Sequence, residues 1–314
     1  MDEIRKSARR GTAKWLSFAA VAATGAVALA ATETSAAAPD NRPVVYSHSI
    51  AFGAYDPWGD FANDRNVKIE AIFLPWQDVD LATLRAADGY ARERGGSVLI
   101  SVEPWTWSKT DRISPPALLK GILAGQYDGN IAAICGVAGK FEAPTTIRWA
   151  QEMEDPRDRF SWQGWTGEEY KSAYRYFVDH CRANAPRVKF MWSPKGMPGL
   201  EKYYPGDAYV DSIGLSVFGL QPFDRDHFGH DRDFAEALKP GYDLAAKFNK
   251  PICVAELGYV GNAEYVRNWA EGALKPDTRF PKLSCVVYFN DKEVAPWPGH
   301  YGLPNWRVTS NIAP

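Results

Sequence analysis

Eight short apolar runs recur along the chain, and they restrict its fold more than any other feature of the sequence. The runs are rich in β-branched and aromatic residues and have no polar face, which is typical of parallel strands that helices cover on both sides. The eight runs are Val44–Ile50, Ile69–Trp76, Val98–Trp105, Thr145–Glu152, Lys189–Pro194, Ser212–Phe218, Pro251–Leu257 and Ser284–Asn290.

Helical patterns separate several of these runs. The segment Asp80–Arg94 carries its apolar residues on one helical face. Thr166, followed three positions later by Glu169, forms a capping box for a helix that runs to about Asn184. Three more helices are predicted at Pro115–Ala124, Asp233–Phe248 and Ala263–Leu274.

Strands that alternate with helices in this way predict a single α/β domain, a closed (β/α)₈ or TIM barrel over residues 39–314. An open, doubly wound sheet is the main competitor, but Ala51–Asp56 lacks the Gly-rich turn that such a sheet carries after its first strand. The pattern has three gaps. There is no helical period over Phe52–Lys68, only a short Pro-Gly crossover over Glu201–Asp211, and no clear helix after Asn290.

The N-terminal segment is predicted to be a targeting signal. Basic residues between Arg5 and Lys14 precede an apolar run from about Trp15 to Ala31, and small residues suited to cleavage follow. We therefore expect a signal peptide and short linker over residues 1–38 and a secreted or periplasmic protein without stable membrane insertion. A membrane anchor is the alternative, although the run is at the short end for a bilayer span.

Composition excludes some partners. The chain has 36 Lys and Arg against 38 Asp and Glu, and this near-neutral balance argues against nucleic acid as the main partner. Aromatic residues are abundant, with 12 Trp, 15 Tyr and 15 Phe, which suits either a large core or surfaces that stack on sugar rings. We expect a monomer.

The cysteine spacing does not fit a zinc site, because none of the four cysteines lies within four residues of another. An oxidising compartment permits up to two disulfides, and the pairing stays open. Cys253 and Cys285 also fit buried small apolar residues. The four are Cys135, Cys181, Cys253 and Cys285.

Three glutamates end predicted strands: Glu103, Glu152 and Glu256. Chemistry in such a barrel occurs at the carboxyl ends of the strands, and a buried carboxylate without a partner is costly. A structural ion pair is the better interpretation of Glu103 alone, which would bind substrate or hold Arg148. Glu152 and Glu256 together favour a catalytic pair.

The sequence around these glutamates resembles glycoside hydrolase family 26, which includes β-mannanases and some mixed-linkage β-glucanases. Ile147–Glu154 resembles the acid/base motif of that family, Tyr203–Gly214 its approach to the sixth strand, and Lys250–Gly258 its nucleophile strand. Glu256 follows Glu152 by 104 positions, and this order is more specific than any motif alone. The resemblance runs from about residue 45 to residue 305.

The resemblance implies a retaining endo-β-glycanase that needs no cofactor or metal, with Glu152 as general acid/base and Glu256 as nucleophile. Retaining hydrolysis needs carboxyl groups roughly 5–5.5 Å apart, one ionised and one protonated. We expect the charge of Glu256 to raise the pKa of Glu152. Period 2 puts Arg148 on the same strand face as Glu152, where it would keep Glu256 ionised or form an ordinary core salt bridge.

Two residues depart from the family pattern. Gln151 stands where the family has His, and Phe218 stands where it has a Tyr whose hydroxyl touches the nucleophile. The Gln amide still offers a donor and an acceptor. The substrate therefore stays open among mannan, mixed-linkage β-glucan and an exopolysaccharide. The alternative function is a catalytically weak or inactive polysaccharide-binding partner on the same fold.

Further substrate contacts are predicted from position at strand ends. Of five tryptophans, at least two are expected to line a cleft: Trp105, Trp107, Trp162, Trp165 and Trp192. Tyr288 and Asn290 are predicted at the floor of the sugar site, and His48 either contacts sugar or is buried. Glu154–Arg159 is predicted to be a self-neutralising surface loop. The substrate-binding set is Glu103, Trp105, Arg148, Gln151, Trp162, Trp192, Phe218, Tyr288 and Asn290.

Overall fold

The structure is a computed structural model that describes residues 41–105, 112–157 and 159–313. The predicted signal peptide and linker over residues 1–38 lie outside these residues, and so does Trp107. The elements described below all belong to one compact unit, Asp40–Pro314.

Eight parallel strands close into one barrel in sequence order, which confirms the predicted (β/α)₈ fold. The strands are β1 (Ala51–Tyr55), β2 (Val67–Pro75), β3 (Ser97–Glu103), β4 (Thr145–Trp149), β5 (Lys189–Trp192), β6 (Ser212–Leu220), β7 (Ile252–Val260) and β8 (Leu283–Phe289). The helices are α1 (Leu81–Glu93), α2 (Pro115–Leu123), α3 (Asp128–Ala138), α4 (Gly167–Asn184), α5 (Gln221–Phe228), α6 (Phe234–Ala245) and α7 (Ala263–Gly272).

The first predicted strand, Val44–Ile50, is wrong. The strand that joins the barrel is β1, which follows it directly and contains Gly53. A Cβ atom at Gly53 would meet the Cβ of Ile69 at 2.6 Å, so this strand needs a small residue where it approaches β2. His48 consequently precedes β1 at the amino end of the barrel and is exposed there, far along the strand from the carboxyl ends. Both predictions for His48 are therefore wrong.

The predicted helices are confirmed, with the capping box of Thr166 and Glu169 at the start of α4. Two helices, α3 and α5, were not predicted. A disulfide between Cys135 and Cys181 joins α3 to α4. A second disulfide, between Cys253 and Cys285, joins β7 to β8, so these two residues are not simply buried apolar side chains.

The three gaps in the helical pattern also appear in the structure. Turns connect β1 to β2, and two short 3₁₀ helices, Leu200–Tyr203 and Asp207–Tyr209, cross from β5 to β6. Within the described residues after Phe289 there is no helix.

Alternate residues of the strands point into the barrel and pack in an apolar cluster. It contains Ile69, Ala71, Leu99, Met191, Cys253, Ala255 and Val287, with Tyr55 packed against it. The opposite strand faces pack under the helices in the largest core cluster, which includes Trp192 and Tyr288. The inward residues at the carboxyl ends of the strands are therefore the ones that face the barrel mouth.

Candidate active site

Glu256 reaches the barrel interior through an irregularity in β7. The ladder between β6 and β7 shifts register between Leu215 and Ser216, so that Leu215 pairs with Val254 and Ser216 pairs with Glu256. Side chains alternate along a regular strand, and a bulge re-aims the residue beside it. Glu256 thus lies at the mouth with its side chain 13 % exposed.

Arg148 lies fully buried on β4 and forms an ion pair with this carboxylate, with 2.6 Å between Arg148 Nη2 and Glu256 Oε1. Its other nitrogens are held by neighbouring strands. Nε donates to Ser193 Oγ at 2.7 Å, and Nη1 donates to Ser101 Oγ at 3.3 Å. The guanidinium also lies over the ring of Phe73, 5.8 Å from its centroid. The barrel wall therefore fixes this cation beneath Glu256.

Glu152 does not lie on a strand. β4 ends at Trp149, and Ala150 and Glu152 have φ angles of 48° and 54°. Left-handed backbone costs a non-glycine residue about 1–3 kcal/mol and is concentrated at functional sites. The predicted strand Thr145–Glu152 is thus too long, and the period-2 argument that placed Arg148 on the same strand face as Glu152 fails.

Hydrogen bonds hold this turn in place. Glu152 N donates to Ser193 O at 2.8 Å, and Gln163 Nε2 donates to Glu152 O at 2.9 Å. Trp162 Nε1 donates to Gln151 O at 2.6 Å. These contacts come from Ser193, directly after β5, and from the segment before α4, so the loops around the mouth set the position of Glu152.

The charged stretch after Glu152 is neutralised in part from within, because Arg157 pairs with Asp155, but the prediction that it lies at the surface is wrong. The Asp155 side chain is only 1 % exposed and binds Lys195 Nζ at 2.7 Å. Burial acts to raise the Asp155 pKa, but Arg157 and Lys195 bring it to about 2. Glu154 Oε1 accepts from the backbone nitrogen of Gly196 at 2.8 Å. These carboxylates hold the loop after β5, and that loop carries Lys195 to Glu152.

The two candidate catalytic carboxyls interact electrostatically. Burial raises the pKa of Glu256 to about 7; Arg148 opposes this shift and the charge of Glu152 adds to it. Burial also acts to raise the pKa of Glu152, but Lys195 and Arg159 outweigh it and the pKa lies below its usual range. We expected a raised pKa for Glu152, and these two cations are the reason for the difference.

Coupled carboxyls lose their protons in steps that belong to the pair. Because the pKa of Glu256 is raised to about 7, the pair of Glu152 and Glu256 retains one proton up to about that pH. One proton and one negative charge are what a retaining pair needs at the start of its reaction.

Glu103 orients Gln151. Its two carboxylate oxygens accept from Gln151 Nε2 at 2.8 Å and from Trp105 Nε1 at 2.9 Å. A carboxylate accepts only, so the amide must turn its NH₂ group to Glu103. Gln151 Oε1 is buried and has no hydrogen-bond partner among the described residues. It is a fixed acceptor for a hydroxyl donor, and Glu103 is the residue that fixes it.

Several predicted substrate contacts lie on the wrong face. Trp192 is fully buried against Tyr204 and Phe248. Tyr288 is also fully buried, and its hydroxyl donates to Trp306 O at 2.6 Å. These side chains lie between the barrel and its outer layer, so they do not contact a sugar.

Asn290 is fully buried as well, and its amide is used by the protein. Nδ2 donates to Asp56 Oδ1 at 2.7 Å and Asp60 Oδ2 at 2.9 Å, and Oδ1 accepts from Val308 N at 3.0 Å. The prediction that Asn290 lies at the floor of the sugar site is wrong, and its role is to join β8 to the loop after β1.

The remaining aromatic candidates differ in exposure. Trp162 and Trp165 are buried, and Trp162 stacks on Phe160 with ring centroids 4.7 Å apart. Trp105 is 8 % exposed, with the guanidinium of Arg112 lying 3.3 Å over its ring. These three tryptophans therefore support the walls of the site. The expectation that at least two of the five line a cleft is not met by the four that are described.

A second group of inward aromatic residues was missed. Tyr55 at the end of β1 stacks on Phe289 with centroids 5.2 Å apart and meets the edge of Phe73 at 4.9 Å. Phe218, which is half-buried, lies 6.4 Å from Phe289. Locating β1 correctly and counting by two along β1 and β8 would have found Tyr55 and Phe289. They form an aromatic wall that continues from Phe218.

Within the described ranges, no group of three or more His, Cys, Asp or Glu side chains is arranged to hold a metal ion. In the same ranges, no helix has the length and apolar character that a bilayer span requires.

The sequence of this chain is similar to those of known glycoside hydrolases. Residues 131–237, which include Glu152 but not Glu256, match the sequence model of glycosyl hydrolase family 26. A β-1,3-xylanase from Vibrio sp. is 27% identical over 145 residues, 44% of this chain and 28% of that protein. A β-1,3-xylanase from Alcaligenes sp. is 25% identical over 151 residues, 46% of this chain and 29% of that protein. The match thus spans less than a third of these relatives.

Solved structures share the fold. A GH26 β-mannanase from Bacteroides ovatus superposes with a TM-score of 0.56 at 20% identity, covering 77% of this chain and 80% of that chain. GH26C from Muricauda sp. gives a TM-score of 0.61 at 17% identity, covering 77% and 79%. These likenesses show that the chain shares the barrel fold of these enzymes, and the similarity of its sequence to glycosyl hydrolase family 26 lies in residues 131–237.

Proposed function

We propose that this protein is a retaining endo-β-glycanase in which Glu152 is the general acid/base and Glu256 is the nucleophile. One observation carries the proposal: Glu256 at the mouth of the barrel is paired at 2.6 Å with a fully buried arginine and is coupled electrostatically to Glu152. Two carboxyls that share one proton at such a mouth are suited to glycosidic bond cleavage.

In the first step, the carboxylate of Glu256 attacks the anomeric carbon while the Glu152 carboxyl protonates the departing oxygen. Arg148 lowers the pKa of Glu256 and so favours its ionised form, and the shared proton must lie on Glu152 when substrate is bound. In the second step, the Glu152 carboxylate takes a proton from water, and this water displaces Glu256. Lys195 and Arg159 stabilise the ionised Glu152 of that step.

The polysaccharide is the finer part of the proposal. Gln151 Oε1 offers an acceptor where the resemblance places contact with the sugar near its 2-hydroxyl. Mannan, mixed-linkage β-glucan and an exopolysaccharide are candidates from the sequence. The curated relatives add β-1,3-xylan.

The test is to incubate the protein with a panel of these polysaccharides and to measure the release of reducing ends. Proton NMR of the first product identifies the mechanism, because a retaining enzyme releases the β-anomer before mutarotation. The Glu256→Ala variant is the matched control for background activity. Binding without release would instead support a catalytically weak or inactive polysaccharide-binding protein, the alternative that Gln151 and Phe218 suggest.

We also propose that the protein is exported after cleavage between about Ala31 and Asp40, on the basis of the basic and apolar N-terminal pattern. Intact-mass measurement of secreted material tests this proposal. A species that retains Trp15–Ala30 would indicate a membrane anchor.

A further inference from the structure

Trp58 is the most exposed tryptophan among the described residues, with 57 % of its surface accessible. It lies in the segment between β1 and β2, at the carboxyl ends of the strands. Its orientation is nevertheless fixed. Nε1 donates to Asp291 Oδ1 at 2.8 Å, and the Arg307 guanidinium lies over the ring at 4.4 Å from its centroid. The rest of the indole is left open to solvent.

The loop that carries Trp58 is held by buried polar contacts. The Asp56 carboxylate accepts from the backbone nitrogen of Asp60 at 3.0 Å and from Asn290 Nδ2 at 2.7 Å. Asp60 forms an ion pair with Arg307 at 3.0 Å. Gly59, with a φ of 78°, allows the sharp turn directly after Trp58. A surface held in one conformation loses little entropy when it binds a ligand.

A strip formed by Tyr55, Asn290 and Asp291 runs from Trp58 towards the catalytic pair. Tyr55 pairs in register with Phe289, and the backbone nitrogen of Asn290 donates to Tyr55 O at 2.9 Å. Asp291 is the next residue, so it lies between Tyr55 and Trp58. Burial raises the pKa of the Tyr55 hydroxyl, and the charges of Asp291 and Glu256 add to this shift. Tyr55 is therefore within electrostatic reach of both ends of the strip.

The strip has unused hydrogen-bonding groups. Asp291 Oδ1 accepts from Trp58, whereas Asp291 Oδ2 has no donor among the described residues. The Tyr55 hydroxyl likewise has no partner in the described part of the chain. An aromatic face beside free carboxylate and hydroxyl oxygens matches the apolar face and equatorial hydroxyls of a β-linked sugar.

The position of the strip indicates which end of the substrate it binds. Glu152, on the β4 side, protonates the leaving sugar, whereas Glu256 on β7 bonds to the sugar that stays. The strip lies beside β8 and β1, which follow β7 around the barrel. We propose that Tyr55, Asp291 and Trp58 form a glycone subsite in which a sugar ring stacks on Trp58. This inference rests on the proposed glycanase function.

The test compares the Trp58→Ala and Trp58→Phe variants with Tyr90→Ala. Tyr90 is a matched control because it is 46 % exposed with Arg94 at 4.7 Å over its ring, but it lies on α1. The probes are β-1,3-xylo-oligosaccharides and β-1,4-manno-oligosaccharides of two to six units, ¹⁸O-labelled at the reducing end. Melting temperatures identify any loss of folding.

For Trp58→Ala we expect the ratio of kcat/KM on the longest and shortest cleaved oligosaccharides to fall about tenfold, a difference of about 1.4 kcal/mol. Trp58→Phe keeps an aromatic face and restores most of the ratio, and Tyr90→Ala leaves the ratio unchanged. In Trp58→Ala, the ¹⁸O label should show a smaller share of cleavages in which several sugars lie on the glycone side. In a Glu256→Gln background, Trp58→Ala should weaken hexasaccharide binding by a similar factor in calorimetry.

The proposal is overturned if Trp58→Ala matches Tyr90→Ala at every length, or if its losses are equal for short and long probes. Loss of cleavages with several sugars on the aglycone side would also overturn it. These outcomes require an active wild-type protein. If the wild type hydrolyses no probe or polysaccharide, the proposed glycanase function itself fails.

Discussion

The two catalytic candidates occupy contrasting settings in one barrel mouth. Glu256 belongs to β7, and its charge is fixed from beneath by Arg148, which is itself held by the barrel strands. Glu152 lies beyond the end of β4 in left-handed backbone, and its cations reach it from loops. The barrel itself thus positions Glu256, the proposed nucleophile, whereas loop contacts position Glu152, the proposed acid/base. Substitutions on the two sides should differ accordingly.

The largest contrast is expected from removing each carboxyl in turn. Glu256→Ala should abolish turnover of every substrate because no glycosyl-enzyme can form. Glu152→Ala should lose most activity on polysaccharides but retain the first step on an aryl glycoside whose phenol leaves without a proton. Azide needs no base, so it should restore turnover of Glu152→Ala and yield a β-glycosyl azide, detected by NMR.

The opposite pattern would exchange the two roles. If azide rescues Glu256→Ala to give an α-azide and does not rescue Glu152→Ala, Glu152 is the nucleophile. If neither substitution lowers activity, both carboxyls are structural and the glycosidase function of this site is wrong.

Arg148→Met should produce the next largest effect. Removing one partner of a buried ion pair costs about 3–5 kcal/mol of stability. Arg148 lowers the pKa of Glu256, so its loss should raise that pKa further and leave the nucleophile protonated at neutral pH. We expect kcat/KM to fall by about 100-fold, a loss comparable to removal of one electrostatic donor. The pH profile should move as a whole to higher pH, because Arg148 lowers the pKa of both carboxyls.

Arg94→Met is the matched control, because Arg94, directly after α1, pairs at 3.1 Å with Glu70 of β2, away from the barrel mouth. It should leave the pH profile unchanged. Arg148→Lys keeps a charge and should recover part of the activity, which a purely steric role of Arg148 would not predict. An Arg148→Met protein with wild-type activity and profile would show that Glu256 does not depend on this cation.

Removing a loop cation near Glu152 should have a smaller effect than removing Arg148, and it should change only the pKa of the carboxyl pair. Wild-type activity should fall as pH rises through about 7, where the carboxyl pair loses its shared proton. Lys195 lowers the pKa of Glu152, so Lys195→Met should raise it and shift the profile of kcat/KM to higher pH. We expect less than a tenfold loss at the optimum, because Arg159 remains.

The control for this measurement is Lys239→Met. Lys239 pairs with Asp243 at 2.6 Å on an exposed face of α6, and both side chains are 56 % exposed. A profile of Lys195→Met that coincides with that of Lys239→Met would mean that the loop cations do not tune Glu152. Glu152 and Glu256 would then differ in how their backbone is held, but not in how nearby cations set their pKa values.

The sequence predicted the barrel because eight apolar runs and their helices are long-range periodic features. The prediction failed at β1, because this strand contains Ala51, Gly53 and Ala54 and lacks the β-branched residues that Val44–Ile50 offers. Glu152 and Glu256 were found by motif and order. The bulge at Glu256 and the left-handed turn at Glu152 carry no sequence pattern, since non-glycine residues adopt both.

The end of β8 shows how a one-residue offset misplaces a site. Side chains alternate along a strand, so Phe289 points to the mouth while its neighbours Tyr288 and Asn290 point away. Burial alone did not distinguish the faces, because both are apolar in a parallel barrel. Lys195 was missed for another reason: it reaches Glu152 only through the contact of its loop with Glu154 and Asp155.

The smallest expected effect comes from two tyrosine hydroxyls on opposite faces of the same barrel. The Tyr55 hydroxyl has no partner among the described residues and lies on the nucleophile side of the mouth, so Tyr55→Phe should leave stability unchanged. It should lower kcat/KM about three- to tenfold, the value of one hydrogen bond to substrate.

Tyr288→Phe should lower stability and leave kcat/KM unchanged. It leaves Trp306 O without its donor at a buried position, which costs about 1–3 kcal/mol, while activity at a permissive temperature stays at the wild-type level. Urea denaturation and kinetics on the same preparations measure both quantities. If Tyr288→Phe lowers kcat/KM without loss of stability, the outward face of β8 does contribute to the site, and the division between strand-borne mouth residues and the outer layer is wrong.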